Sequence, residues 1–149
     1  MTEKHCFKVM GLPQAKGNMK GFPRGRHVII TDGNRNLKGW EQAVRYEAQR
    51  YVEGHGVQCA DKTQAVVLTL SFYFQRPKTA PKALVHHNKR PDLDKLVRAV
   101  GDALTGILFV DDGQIDLLVA GKEYAHPGEA SGVWIEFSSR PIKEARPRA

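Results

Sequence analysis

The chain has 149 residues, with 23 Lys and Arg against 16 Asp and Glu and a formal charge of +7. That length suits one domain with a real core, and 41% hydrophobic with 26% charged residues argues against both a disordered chain and a membrane protein. The excess of cations favours a polyanionic partner, because each phosphate neutralised by Lys or Arg releases condensed counterions. No basic amphipathic helix is evident, which favours nucleic acid over an anionic membrane. The longest apolar runs, Ala65–Leu70 and Gly106–Val110, are far too short to cross a bilayer. The N-terminal stretch lacks the apolar core of a secretory signal, so a cytoplasmic location is expected. Cys6 and Cys59 have no metal-ligand spacing and read as small buried residues.

In chain order, His5–Gly11 reads as a first strand. The next stretch, "LPQAKGNMKGFPRGR", reads as a loop in which glycines alternate with Lys16, Lys20, Arg24 and Arg26. Such a loop is either a solvated segment or a phosphate-binding one. His27–Thr31 is a second strand, ended by Asp32, Gly33 and Asn34. From Leu37 to about Val52, apolar positions recur at helical spacing, and Trp40 lies on that stripe as a core anchor rather than a base-stacking platform. Gln64–Gln75 is the strongest strand, stopped by Arg76-Pro77. A Pro-punctuated basic loop follows, with Arg76, Lys78, Lys82, Lys89 and Arg90. Its His86, His87 and Asn88 read as solvated or phosphate-contacting groups rather than as a histidine nuclease site.

Leu93, Leu96, Val97, Val100 and Leu104 form one apolar stripe, which predicts a helix over 93–104, ended by Gly106. "ILFV" reads as a short buried strand running into Asp111-Asp112-Gly113. "IDLLVAGKEYA" and "GVWIEFS" are two closing strands around a turn at Pro127-Gly128, and the basic tail from Arg140 reads as frayed. The expected fold is α/β: a single domain, with a mixed sheet packed against two principal helices.

Between Arg90 and Asp116 this basic chain carries Asp92, Asp94, Asp102, Asp111, Asp112 and Asp116. Pro91 disfavours helical geometry at Arg90, so Asp92 is placed to cap the helix and Asp94 to sit in its first turn. A cap and a favourable dipole charge fully account for that pair. They do not account for Asp111 and Asp112, which follow the buried strand at its C-terminal end, where ligands commonly bind in an α/β sheet. Two acidic pairs suggest oxygen ligands for Mg²⁺ or Mn²⁺. Asp102 lies four residues after Arg98, a spacing that a helix-face ion pair explains.

The run "RPDLDKLVRAVGDALTGILFVDDGQI" resembles the signature of the RusA family of Holliday-junction resolvases. The early "GLPQAKGN", the "FYFQRPK" strand with its basic loop, and "GKEYA" follow in the family's order and approximate spacing. The resemblance implies a RusA-like fold and Mg²⁺-dependent cutting of four-way junction DNA by a homodimer, in recombination and repair. It also implies that Asp92, Asp94 and Asp112 hold the metal, with Asp111 beside them. Arg98 stands where the family usually has a catalytic lysine, and Lys95 where it usually has asparagine, which leaves Arg98 and Lys95 as alternative sources of the positive charge. DNA contacts are expected from Lys16, Lys20, Arg24, Arg26, Arg76, Lys78, Lys82, Lys89 and Arg90. The rival readings are a non-catalytic DNA-binding protein whose aspartates only cap and pair, and a flap or RNA nuclease using the same carboxylates.

Overall fold

A computed structural model describes residues 3–17 and 19–143. Its main sheet has four strands, β1 (His5–Met10), β4 (Gln64–Phe74), β5 (Ile115–Tyr124) and β6 (Gly132–Pro141), in the order β1-β6-β4-β5. β6 is antiparallel to both β1 and β4, whereas β5 runs parallel to β4. The sheet is therefore mixed, as expected. A parallel pair needs a crossover, and the helix α2 (Leu93–Leu104) lies in that connection. The other helix, α1 (Leu37–His55), follows a separate two-stranded ribbon of β2 (Met19–Arg24) and β3 (His27–Asp32).

Alternation along the strands decides which face is covered. On β4, Val66, Leu68, Leu70, Phe72 and Phe74 are buried, and Phe7, Val9, Val133, Ile135 and Phe137 continue that inner face. Trp40, Val44 and Ala48 of α1, with Leu96, Ala99, Val100, Ala103 and Leu104 of α2, pack onto it. Arg45 joins the helices by donating from Nη1 to the carbonyls of Ala103 (2.8 Å) and Thr105 (3.3 Å), acceptors that the end of α2 leaves without helical partners.

Several expectations need correction. The second half of the predicted glycine-rich loop is β2; Gly21 and Pro23 lower its strand propensity, and pairing with β3 through a turn at Gly25 (φ +63°) overrides that. The first helix runs three residues past Val52, because Gly56 at φ +64° forms the left-handed end and donates to the Val52 carbonyl. "ILFV" is buried but is not a ladder strand. Gly106 (φ +88°) turns the chain, Gly106 N–H reaches Phe109 O at 2.7 Å, and Phe109 makes only isolated bridges to Ala60 and Thr105. β5 and β6 are not neighbours, since β4 separates them. Arg140 and Pro141 belong to β6 instead of a frayed tail, with Arg140 Nη2 at 2.6 Å from Asp116 Oδ2; residues 144–149 lie outside the described residues. Cys6 and Cys59 are exposed, not buried. Cys6 takes the outward phase of β1 because Phe7 and Val9 take the inward one.

Candidate active site

The start of α2 presents two carboxylates. Asp92 has extended backbone geometry (φ −68°, ψ 133°) at the N-cap position, and its carbonyl accepts the first helical bond from Leu96 N–H at 3.1 Å. The position is the one anticipated, but its side chain makes no capping bond. Its Oδ2 instead lies 3.5 Å from Lys95 Nζ, one turn along. Asp94 is exposed in the first turn and has no ion pair among the described residues. Helix capping therefore engages neither carboxylate.

The second pair belongs to a 3-10 turn, Asp112–Gln114, between α2 and β5. Asp111 accepts from Gly113 N–H at 2.9 Å, and Gln114 Oε1 accepts from the N–H groups of Val110 and Asp111, both at 2.9 Å. This is a capping box, which the spacing D-x-x-Q could have revealed. Gln114 Nε2 also donates to Asp61 O (2.6 Å), Gln64 O (3.1 Å) and Ala60 O (3.3 Å), anchoring the acidic turn to the beginning of β4. The two carboxyls share a hydrogen bond. The Gly113 N–H, followed by the Asp112 carboxyl, lowers the pKa of Asp111. The hydrogen bond to Asp111 raises that of Asp112, with smaller contributions from desolvation and from the charges of Asp111 and Asp102.

One chain does not bring these pairs together. Asp92 and Asp94 stand at the beginning of α2, while Asp112 follows its other end, close enough to Asp102 to feel that charge. The 12 residues of α2 span about 17 Å at 1.5 Å per residue. Among the described residues, no three His, Cys, Asp or Glu side chains are grouped to hold a metal. The donor type fits Mg²⁺, which prefers hard oxygen ligands. The number converging within one chain does not.

The cations also divide by role. Lys16 Nζ lies 3.0 Å from Glu41 Oε1 and 2.9 Å from Asp102 Oδ2, so Asp102 takes Lys16 as its ion-pair partner in place of the expected Arg98. Burial alone would lower the pKa of Lys16, but the hydrogen bonds and charges of Asp102 and Glu41 outweigh it and raise the pKa. Arg76 donates to the carbonyls of Pro81 and Leu84 and braces its own loop. Arg26, Lys78, Lys82, Lys89, Arg90 and Arg98 are exposed and have no ion pair among the described residues. The side chains of Lys20 and Arg24 lie outside the described structure.

Sequence reasoning missed Lys122. It lies on the inner phase of β5, opposite Phe72, and its ammonium donates to Pro91 O at 2.8 Å and to Lys89 O. These bonds hold the peptide immediately before Asp92. The signal was a lysine interrupting the alternate positions Leu118, Ala120 and Tyr124. Nearby, His87 stacks on Tyr124 (4.8 Å between centroids) and meets Phe74 edge-on (5.0 Å), so it anchors the basic loop instead of standing in solvent. Burial, then the charge of Lys122, lowers its pKa.

No helix among the described residues is long and apolar enough to cross a membrane. The chain is similar to the Bacillus subtilis (strain 168) "Uncharacterized protein YqaN", with 28% identity over 129 residues, covering 80% of this chain and 87% of that protein. The family profile described as "Endodeoxyribonuclease RusA" matches residues 11–136, a span running from the end of β1 into β6 and including both acidic pairs. The chain belongs to the RusA endodeoxyribonuclease family, a membership that supports Holliday-junction resolution in general.

Proposed function

We propose that the protein is a Mg²⁺-dependent endonuclease that resolves four-way DNA junctions by paired, symmetric nicks as a homodimer. The observation that carries this reading is the pair Asp92 and Asp94: two exposed carboxylates at a helix start, unused for capping, in a chain with a strong excess of cations. Hydrolysis of a phosphodiester needs an attacking water, neutralisation of the phosphoryl oxygens and stabilisation of the leaving oxygen. A bound divalent metal supplies these, and Mn²⁺ can substitute for Mg²⁺. Asp92, Asp94 and Asp112 are the residues to hold it, with Asp111 orienting Asp112. Arg98 or Lys95 supplies fixed positive charge for the phosphate. A guanidinium does not give up its proton, so Arg98 would act through charge and hydrogen bonding alone.

The separation between the acidic pairs supports a site shared by two chains. β5 is an edge strand paired only with β4 among the described residues, and Leu117, Leu118 and Val119 on it are 48%, 46% and 53% exposed. An apolar edge with no lysine or proline at its centre invites a further strand. A second copy pairing antiparallel about Leu118 and Val119 would set Ile115 opposite the partner's Lys122. Asp112 precedes Ile115 by three residues, and Lys122 contacts the peptide leading into Asp92. A two-fold axis would thus carry the acidic turn of one protomer towards the helix start of the other, twice per dimer.

The test is a labelled synthetic four-way junction incubated with and without Mg²⁺. Paired symmetric nicks are expected with metal only, and Asp94→Asn should retain junction binding while losing cutting. Equal cutting by wild type and by Asp92→Asn, Asp94→Asn and Asp112→Asn would reject the carboxylate site. Binding by wild type without cutting under any divalent cation would reject the enzymatic reading.

A further inference from the structure

A cavity of about 610 Å³ is a cleft lined by three segments: Ala15, Lys16 and Gly17; Gly33, Asn34 and Arg35; and Arg90, Pro91, Asp92 and Lys95. These walls are tied to one another. Asn34 Nδ2 donates to Ala15 O at 2.9 Å and to Gln14 Oε1 at 3.1 Å, and its Oδ1 accepts from Asn36 N–H at 3.1 Å, which fixes the backbone on both sides of Arg35. Lys16 N–H donates to Lys95 O at 3.1 Å, joining the first wall to α2. The ammonium of Lys16 is occupied by Glu41 and Asp102, so it stiffens a wall. Arg35 and Arg90 are exposed, with no ion pair among the described residues, and stand in the same cleft as Asp92.

Size and lining define what enters. A volume of about 610 Å³ is small against a B-form duplex, whose major groove alone is ~12 Å wide. A duplex cannot enter, but one nucleotide unit fits a cavity of this size. Among the described residues the lining holds no aromatic ring to stack a base. Two guanidiniums suit the bidentate recognition of a phosphate.

We propose that this cleft is a subsite for the sugar-phosphate backbone of a single, unpaired DNA strand, with Arg35 and Arg90 as its phosphate ligands, leading that strand to Asp92. The inference rests on the DNA-binding part of the function proposed above and adds a source of structure selectivity. A strand leaving the crossover of a junction can enter, whereas a strand held in continuous duplex cannot. Recognition in the cleft is blind to sequence, because it involves the backbone.

The test measures binding by fluorescence anisotropy with the full chain in EDTA, so that cutting plays no part. Wild type and Arg35→Gln are compared on an unpaired oligonucleotide, a four-way junction and a continuous duplex. Arg35→Gln should lose about tenfold in affinity for the first two, as expected for a charge-assisted contact, and less than twofold for duplex. The slope of log affinity against log salt should fall by about one unit or slightly less for the unpaired strand and junction only. Arg35 is exposed, so the thermal midpoint should stay that of wild type. Equal losses on duplex and junction would make Arg35 part of a general cationic surface and overturn the proposal, as would no loss on any DNA. A wild type that shows the selectivity yet never cuts would leave the cleft standing and remove the nuclease reading.

Discussion

Two inactive variants should restore cutting to each other if the carboxylates meet across a dimer. Asp94→Asn disables the helix-start half of each site, and Asp112→Asn disables the acidic-turn half. Neither homodimer should cut. In a heterodimer, one composite site combines both defects, while the other combines Asp94 of one protomer with Asp112 of the other and is intact. Random mixing of equal amounts makes about half of the dimers mixed, each with one of two sites competent, so about a quarter of wild-type sites return. The separation makes the outcome decisive: the helix between the pairs spans about 17 Å, whereas Mg²⁺ holds its ligands at roughly 2.0–2.1 Å. No side-chain rotation within one chain bridges that difference. The assay is single-turnover cutting of a labelled junction by doubly tagged, purified heterodimer. Its product should be a nicked junction, because the paired cut needs both sites. A purified heterodimer as inactive as its parents would refute sharing between chains, and full activity of Asp112→Asn alone would remove Asp112 from the ligand set.

Two further outcomes follow from the supporting contacts. Gln114→Ala should lower stability by roughly 2–3 kcal/mol, taking two to three net hydrogen bonds at about 1 kcal/mol each, measured by denaturant unfolding with an unchanged m-value; no measurable loss would mean the acidic turn is held by other contacts. The folded-state pKa of His87 lies below 6.5, so the unfolded loop binds the extra proton first: docking against Tyr124 should be complete above about pH 6.5 and weaken as pH falls below it. An NMR titration should place the His87 midpoint under 6.5 in wild type and closer to 6.5 in Lys122→Gln, and a wild-type midpoint above 6.5 would show that burial and Lys122 do not dominate its surroundings.

The parts of the fold written in local periodicity were legible. α2 was predicted from Leu93 to Leu104 because its apolar stripe is continuous and Gly106 follows it, and β4 was visible because it is central and apolar. β2 was missed because Gly21 and Pro23 hide a strand whose stability comes from its partner. The "ILFV" run was read as a strand because burial alone does not separate a strand from a buried turn. Aspartates at 92, 94, 111 and 112 were recognisable as an unusual concentration, but their distribution between the two ends of α2 depends on a crossover that spacing does not reveal. Lys16 and Asp102 read as unrelated in the sequence because their contact joins positions more than half the chain apart.

Long-range contacts also explain how the start of α2 is held without the Asp92 side chain serving as its cap. A carboxylate at a helix start is ordinarily drawn into capping, yet here the peptide before Asp92 is held by Lys122 and the carbonyl after it by Leu96 N–H. The backbone is fixed from both sides without using the side chain. An ammonium near the positive end of α2 is unfavourable for the helix dipole, and two carbonyl acceptors offset that cost. Asp102 and Glu41 are similarly spent on Lys16, and Asp111 on its capping box, whereas Asp94 has no ion pair among the described residues and Asp92 meets Lys95 at 3.5 Å. On the proposed function, stability and chemistry use different carboxylates within one short segment, which accounts for an acidity beyond what helix caps and ion pairs require.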